Sequence, residues 1–393
     1  MQGDRVIAEL AGRIDSNSAP VLDRELERIA AENEGKELEL DAERLEYISS
    51  AGLRVLMKLR KRQGRLTVRN VSRDVYEILD VTGFVELLEV RRRLREVSVE
   101  GCEMLGKGGN GEVYRLDDET IIKVYNRGTA LEKIELEKKY ATATFKEGLP
   151  CAIAYDTVRV GDRYGIVFEL LNAVTMGKLV TANPEGIPEY GRRMAALLRQ
   201  LHATRMPEGV LPKASDKMLG WIDYIEGRYL AHEDAELLRE VVRAVPERDT
   251  VLHMDFHEGN VMAQGDELVL IDLDDICTGN RLYELGAYYV SHVLALQGAA
   301  EAVEKSTGMC RGDISKMYEA TMRAYLGAED ARTLEAHGRA MQLFAPFWLI
   351  IYLGKGKDSA NLTPERAQGA LRMVLPQFRQ VQPMILELAR SYQ

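Results

Sequence analysis

The residues best suited to chemistry lie between positions 251 and 273. In Val251-Leu252-His253-Met254-Asp255-Phe256-His257-Glu258-Gly259-Asn260-Val261-Met262 and then Leu268-Val269-Leu270-Ile271-Asp272-Leu273, two acidic residues and an asparagine stand between apolar strand-like runs. Phosphoryl transfer needs a carboxylate beside the attacking hydroxyl, and oxygen ligands to hold Mg²⁺ across the phosphates of a nucleotide. Asp255 suits the first task. Asn260 and Asp272 suit the second, Asp272 standing at the end of an apolar strand where an unpaired charge would be costly. His253 is carried with Asp255 as a catalytic candidate, although a buried, satisfied histidine is the plainer reading of His253 and of His257.

Upstream, Leu105-Gly106-Lys107-Gly108-Gly109-Asn110-Gly111-Glu112-Val113-Tyr114 contains the spacing G-x-G-x-x-G-x-V. A dinucleotide-binding glycine loop opens a helix, whereas residues 112–116 and 120–125 around an Asp117-Asp118-Glu119 turn predict a β-hairpin. Gly106, Gly108 and Gly111 would let backbone amides reach phosphate oxygens, with the hairpin as a flap over them. The second strand carries Lys123 among apolar neighbours. A predicted helix over 130–145 offers Glu132, Glu135 and Glu137 to aim it, and Glu137 has the best spacing. The apolar strand 164–172 ends in a hinge whose main chain, at Glu169 and Leu171, would bond adenine. A glycine loop, Lys, Glu, H-x-D-x-x-x-x-N and a strand-end Asp, in that order, are the parts of a protein-kinase-like fold.

Within that superfamily, residues 98–393 resemble the aminoglycoside phosphotransferase and choline kinase branch. His253-x-Asp255-x-His257-x-x-Asn260 matches its H-G-D-x-H-x-x-N core, with Met254 in place of the usual Gly. Ile271-Asp272-Leu273 lacks a DFG-type glycine, and the short interval before a helix predicted over 286–296 leaves no room for a long activation segment. The resemblance implies ATP and Mg²⁺ as cofactors and a small-molecule hydroxyl as acceptor. A second departure is Glu284, where relatives commonly place Asp, which puts the support of the loop in question. Asp274 and Asp275 beside Asp272 read equally as an attraction for a cationic acceptor or second metal and as a solvated loop edge.

These residues need elements to hold them. At 393 residues the chain is too long for one ordinary domain. Residues 1–97 hold 18 Lys and Arg against 19 Asp and Glu, leaving 34 against 43 in residues 98–393. That shift, with Arg91-Arg92-Arg93-Leu94-Arg95, predicts a boundary near residue 97. The expected division is 1–97 and 98–393, the latter with an N-lobe over about 98–172 and a C-lobe over about 173–393. A helix over 189–202 should buttress the C-lobe, and the apolar stretches 344–353 and 367–388 should shape the acceptor pocket.

Residues 1–97 alternate strands (6–10, 37–41, 66–68) with amphipathic helices (19–31, after Gly52, and around 75–79), an α/β pattern. Gly12-Arg13-Ile14-Asp15, Leu38-Glu39-Leu40-Asp41, Tyr47-Ile48-Ser49-Ser50-Ala51-Gly52-Leu53-Arg54-Val55-Leu56 and Val81-Thr82-Gly83-Phe84 resemble a STAS domain, the fold of anti-sigma-factor antagonists. In that family a Ser or Thr just before this Gly-Leu is phosphorylated by a partner kinase. Here Ala51 holds that position and Ser50 is the candidate acceptor, with Ser49 or Ser50 as a simple helix cap the alternative. The resemblance implies an anti-sigma-factor-like or other signalling protein as partner.

A net charge of −10 disfavours nucleic acid as a partner. The longest apolar run, 344–353, is too short to span a membrane, and the first residues lack a signal peptide's apolar region. Four cysteines without paired spacing suit a reducing cytoplasm. The expectation is therefore a two-domain cytoplasmic phosphotransferase: an α/β STAS fold followed by an α+β bilobal kinase-like fold. Its competitors are a protein kinase acting on STAS Ser50 in cis or trans, and a nucleotide-binding regulator without catalysis.

Overall fold

A computed structural model describes residues 5–298, 300–327, 332–342, 369, 383 and 385–390. The stretch 344–353 lies outside the described residues, as does most of 367–388. The chain divides into two compact units, residues 1–98 with 157–162, and residues 99–156 with 163–393.

In the first unit, β1 (Arg5–Ile14), β2 (Glu37–Ile48), β3 (Thr67–Val71) and β4 (Glu89–Arg92) form a sheet in sequence order, every neighbouring pair parallel. Parallel neighbours need crossovers. These are α1 (Ala19–Glu32), α2 (Ser50–Gln63), and α3 (Arg73–Val81) with the short α4 (Phe84–Leu87). Leu40, Ile48, Leu56, Leu66 and Leu79 are fully buried between sheet and helices. Strands β1 and β2 run well past the predicted 6–10 and 37–41, because their mutual pairing continues through Arg13↔Tyr47 and Ile14↔Ile48 across two register shifts. Gly52 is required where α2 starts, since a Cβ there would lie 2.5 Å from Ile14 Cγ2 and 2.7 Å from Ile48 Cγ1. A short strand, β5 (Arg95–Glu96), pairs with Val158 and Arg159 of the same unit.

The second unit begins with the strands β6 (Met104–Lys107), β7 (Gly111–Arg115) and β8 (Thr120–Tyr125), then α5 (Leu131–Lys146), the first three residues of β9 (Ala154–Val160), and β10 (Arg163–Glu169). Within this unit the order is β10-β8-β7-β6, with β10–β8, β8–β7 and β7–β6 antiparallel. The expected hairpin is therefore present, with Val113 opposite Lys123. Next come β11 (Val174–Thr175), α6 (Met176–Ala182), α7 (Ile187–Ala203), α8 (Ala214–Ile225) and α9 (His232–Ala244). Helix α7 buries Met194, Leu197, Leu198 and Leu201 at helical spacing, as a buttress must.

The loop strands follow: β12 (Val251–Leu252), β13 (Val261–Gln264), β14 (Glu267–Leu270) and β15 (Cys277–Thr278). β13 and β14 form a tight antiparallel hairpin with Val261 opposite Leu270. The single helix predicted over 286–296 is corrected. Helix α10 (Arg281–Tyr289) is capped by Asn280, whose side chain accepts from the Leu282 N–H, and it passes into a π-turn, Val290–Leu294. Helices α11 (Ala295–Gly298), α12 (Ala300–Thr307) and α13 (Arg311–Leu326) complete the described part, α13 packing on α7.

Candidate active site

The hairpin geometry explains the glycines differently at each position. A Cβ on Gly111 would lie 2.1 Å from the Val124 carbonyl oxygen, so glycine is needed there for β7 to approach β8. A Cβ on Gly106 or Gly108 would meet nothing within 4 Å. The Gly108 N–H donates to the Gly111 carbonyl at 2.9 Å, closing the loop on itself. Glu112 holds the base of the hairpin, pairing with Lys107 at 2.9 Å and Arg163 at 2.8 Å. Arg163 first and Lys107 second hold its carboxyl down at about 2.

Lys123 extends from β8 to two carboxylates, Glu137 Oε1 at 2.9 Å and Asp272 Oδ1 at 2.5 Å. Of the three glutamates offered by the helix, Glu137 is the buried one and makes this contact; Glu132 and Glu135 are exposed. Burial by itself would lower the Lys123 pKa, but the charges of Asp272 and Glu137 overcome it and hold the ammonium well above the usual range. Burial likewise works against the Asp272 charge, and Lys123 outweighs it, holding the carboxyl below its ordinary value.

Asp272 has φ 61° and Met254 φ 67°, left-handed backbone that costs a non-glycine residue about 1–3 kcal/mol. Met254 stands where relatives place glycine, and the structure shows what permits it. The buried Glu284 accepts from the N–H groups of both His253 and Met254, at 2.5 and 3.0 Å. The two departures noted in the sequence thus meet at one carboxylate, and the loop is supported. Burial pushes Glu284 up to about 7 against the pull of those N–H groups.

His253 is fully buried and both ring nitrogens serve the backbone. Nδ1 accepts from the Asp255 N–H at 3.3 Å, so Nε2 carries the proton and donates to the Ile271 carbonyl at 3.0 Å. The ring of this catalytic candidate thus brackets the two halves of the site through their backbone. Burial, the largest influence, lowers its pKa and favours this neutral form. Asn260 donates from Nδ2 to the Asp255 carbonyl at 3.0 Å and to Asp255 Oδ2 at 3.1 Å, which leaves its amide oxygen available. His257 Nε2 lies 3.8 Å from Asp255 Oδ2, and its Nδ1 accepts from the Gly259 N–H. The Ile271 N–H donates to the Asn260 carbonyl at 3.0 Å, so Asn260 and the residue before Asp272 are bonded neighbours. Lys123 thus joins Glu137 to Asp272, Asn260 holds Asp255, and the Ile271–Asn260 backbone bond sets the two groups side by side.

Other expected positions fall as follows. Glu169 ends β10; its carboxylate accepts from the Ile153 N–H at 2.7 Å and its own N–H donates to the Ile153 carbonyl, while Leu171 follows, half-buried. In the first unit Ser49, rather than Ser50, caps α2, accepting weakly from the Gly52 N–H at 3.4 Å, and Ser50 is exposed as the first helical residue. Lys58 of the basic face is tied to Asp23 and Glu27 of α1. Three contacts were not foreseen. Asn110 of the glycine loop donates to Asp274 Oδ2 at 2.5 Å, Lys217 of α8 pairs with Asp275 at 3.2 Å, and Glu258 is buried against His292. Sequence separations of 164, 58 and 34 residues carry no local signal of such pairings.

A family model described as the phosphotransferase enzyme family matches residues 102–332, more than half of the chain, and a STAS domain model matches residues 1–89. The chain belongs to the phosphotransferase enzyme family and carries a STAS domain ahead of the enzyme; it is a phosphotransferase with an alcohol group as acceptor. The STAS part is 37% identical over 89 residues to the anti-sigma factor antagonist BtrV of Bordetella bronchiseptica, covering 22% of this chain and 76% of that protein. It is 29% identical over 92 residues to the anti-sigma-B factor antagonist of Listeria monocytogenes, covering 22% and 80%. Among solved structures, a streptomycin-ATP ternary complex of APH(2")-IIa has TM-score 0.44 at 15% identity, covering 65% of this chain and 85% of that one. All four cysteines are free, and no helix among the described residues is long and apolar enough to cross a membrane.

Proposed function

We propose that this phosphotransferase moves the γ-phosphoryl group of ATP, with Mg²⁺, to a hydroxyl of a small molecule. The observation that carries the reading is that Lys123 and Asp272 are paired and the backbone bond from Ile271 to Asn260 sets them beside Asn260 and Asp255, which puts a cation for phosphate near a carboxylate able to take a proton. In it Asp255 orients the acceptor hydroxyl and receives its proton as the oxygen attacks phosphorus. Lys123, aimed by Glu137, binds the nucleotide phosphates, and the glycine loop from Gly106 to Gly111 lies over them as a flap.

The donor set fits Mg²⁺. Asn260 Oδ1 and the Asp272 carboxylate are hard oxygen ligands, and Mg²⁺ is ordinarily held by one or two protein oxygens completed by phosphates and water. When bound, the ion would neutralise charge between the β- and γ-phosphates. The acceptor is read as small because a short interval joins Asp272 to α10, leaving no long segment to dock a protein chain.

The test is a screen of hydroxylated metabolites for ATP consumption with Mg²⁺, run on the parent and on Asp272→Ala. Turnover in the parent that disappears in the variant is expected; equal turnover in both would overturn the assignment. The STAS unit is read as a docking or regulatory module for a signalling protein, with Ser50 as its modifiable position. Its exposure at the start of α2 supports this, since a phosphate there would meet free helix N–H groups. Incubation with ATP and Mg²⁺ followed by mass spectrometry also separates the protein-kinase alternative: modification of Ser50 in parent but not in Asp255→Ala would favour transfer within or between copies of this chain.

A further inference from the structure

Glu258 occupies a place in the 253–260 loop where the transfer chemistry asks for no carboxylate. Its side chain is fully buried. Oε1 accepts from the Tyr288 hydroxyl at 3.0 Å, and Oε2 lies 2.7 Å from His292 Nε2, which is also fully buried. On its other side His292 Nδ1 is 3.1 Å from the Tyr288 carbonyl and 2.7 Å from Ser291 Oγ. The rings of Tyr288 and Tyr318 pack on the imidazole, with centroids 4.1 and 6.2 Å away.

A buried carboxylate is a poor means of stabilising a fold, because its desolvation can outweigh the attraction of its partners and apolar side chains of the same volume do as well or better. What such a group supplies is a fixed position. The surrounding backbone shows which position is fixed. The Glu258 carbonyl accepts from the Gly177 N–H at the start of α6 at 3.1 Å. A Cβ on Gly259 would lie 2.0 Å from the Ser306 carbonyl of α12. The main chain immediately before Asn260 is thus clamped by α6 and α12, and the Glu258 side chain adds α10 and the π-turn. His292 reaches Glu258 from that π-turn, an insertion that re-aims side chains and occurs often at functional sites.

We propose that Glu258 is a positioning residue for Asn260: held by Tyr288 and by His292 of the π-turn, it sets the loop backbone so that the Asn260 amide oxygen is presented to the metal. The inference rests on the reading of Asn260 as a Mg²⁺ ligand.

The experiment titrates Mn²⁺ into the full chain with ADP, following free Mn²⁺ by electron paramagnetic resonance, for the parent, E258A, E258Q, H292Q and N260A, with thermal midpoints and nucleotide KM alongside. Partners behind a metal ligand commonly change metal affinity by about 10–100-fold. E258A and H292Q should weaken Mn²⁺ binding by about 10-fold or more and lower kcat in step, with nucleotide KM within about 2-fold of the parent. E258Q keeps an oxygen toward His292 and should recover most of the loss. Should E258A not fold, H292Q and E258Q carry the same expectations. Parent-like Mn²⁺ binding in H292Q and E258A overturns the proposal, as does a loss of metal and nucleotide binding together with no recovery in E258Q. N260A separates this from the underlying reading. If N260A binds Mn²⁺ like the parent, the ligand assignment itself fails; if N260A is weakened and E258A is not, only the positioning role fails.

Discussion

The start of α2 in the STAS unit and the 253–260 loop of the phosphotransferase unit both present polar side chains at a strand end, yet they are built in opposite ways. At α2 the polar groups are loosely held: Ser49 makes one long cap bond of 3.4 Å and Ser50 is exposed. In the loop the polar groups are held by several hydrogen bonds. His253 spans two backbone segments, Glu284 accepts from consecutive N–H groups, and Asn260 grips Asp255 twice. A group that is to be modified by another molecule must be reachable, and its surroundings need not be rigid. A group that does chemistry must be in place before the substrate arrives, and here that order is supplied by buried hydrogen bonds.

The comparison is broken most sharply at Asp255. Asp255→Ala should lower kcat by about 10²–10⁴-fold, the usual weight of a proton-transfer group, in a steady-state assay with the acceptor found by screening. Thermal stability should change little beside that loss. Lys123→Met is expected to cost about 3 kcal/mol in urea unfolding, because it leaves the buried Glu137 carboxylate without its cation. An unchanged midpoint would show that the Lys123 pair is dispensable for folding. In the STAS unit the stakes are smaller: Ser49→Ala should cost about 1 kcal/mol as the loss of a cap, and Ser50→Ala less than about 0.5 kcal/mol. Equal costs at the two serines would erase the distinction between cap and exposed position.

The smallest effect concerns pH. Burial, and next the Asp272 charge, push Asp274 up to about 7. The folded chain therefore keeps a proton that the unfolded chain loses near about 4, so folding binds a proton between those values. The stability contribution of this group falls as pH rises from about 4 to 7 and is constant above. In metal-free protein, Asp274→Asn should match the parent at pH 4 and melt higher than it at pH 8. Parallel melting curves across the range would contradict this assignment of the burial effect.

Much of the site was legible because its parts are local. Asp255 and Asn260 lie within six residues of one another, Asp272 ends an apolar run, and Lys123 sits in a hairpin announced by its turn. The α/β character of the STAS unit likewise follows from strands alternating with helices. The illegible parts all depend on distant partners. Whether His253 would act or merely support could not be read from its neighbours, because its partners are backbone groups brought in by the β13–β14 hairpin. The helix expected over 286–296 looked continuous because a π-turn leaves almost the same apolar spacing as an α-helix. Met254 and Glu284 looked like two separate departures until one carboxylate was seen to hold the strained Met254 backbone.

The residue types and their order in the chain were enough to determine the two folds, the phosphoryl-transfer class and the polar groups available to it, because period and turn chemistry act over a few residues. Which glutamate meets Lys123, which serine caps α2, and how Glu258 and His292 come together were decided only by tertiary packing. Each depends on burial, and burial sets the cost of a charge and hence the partner it must find.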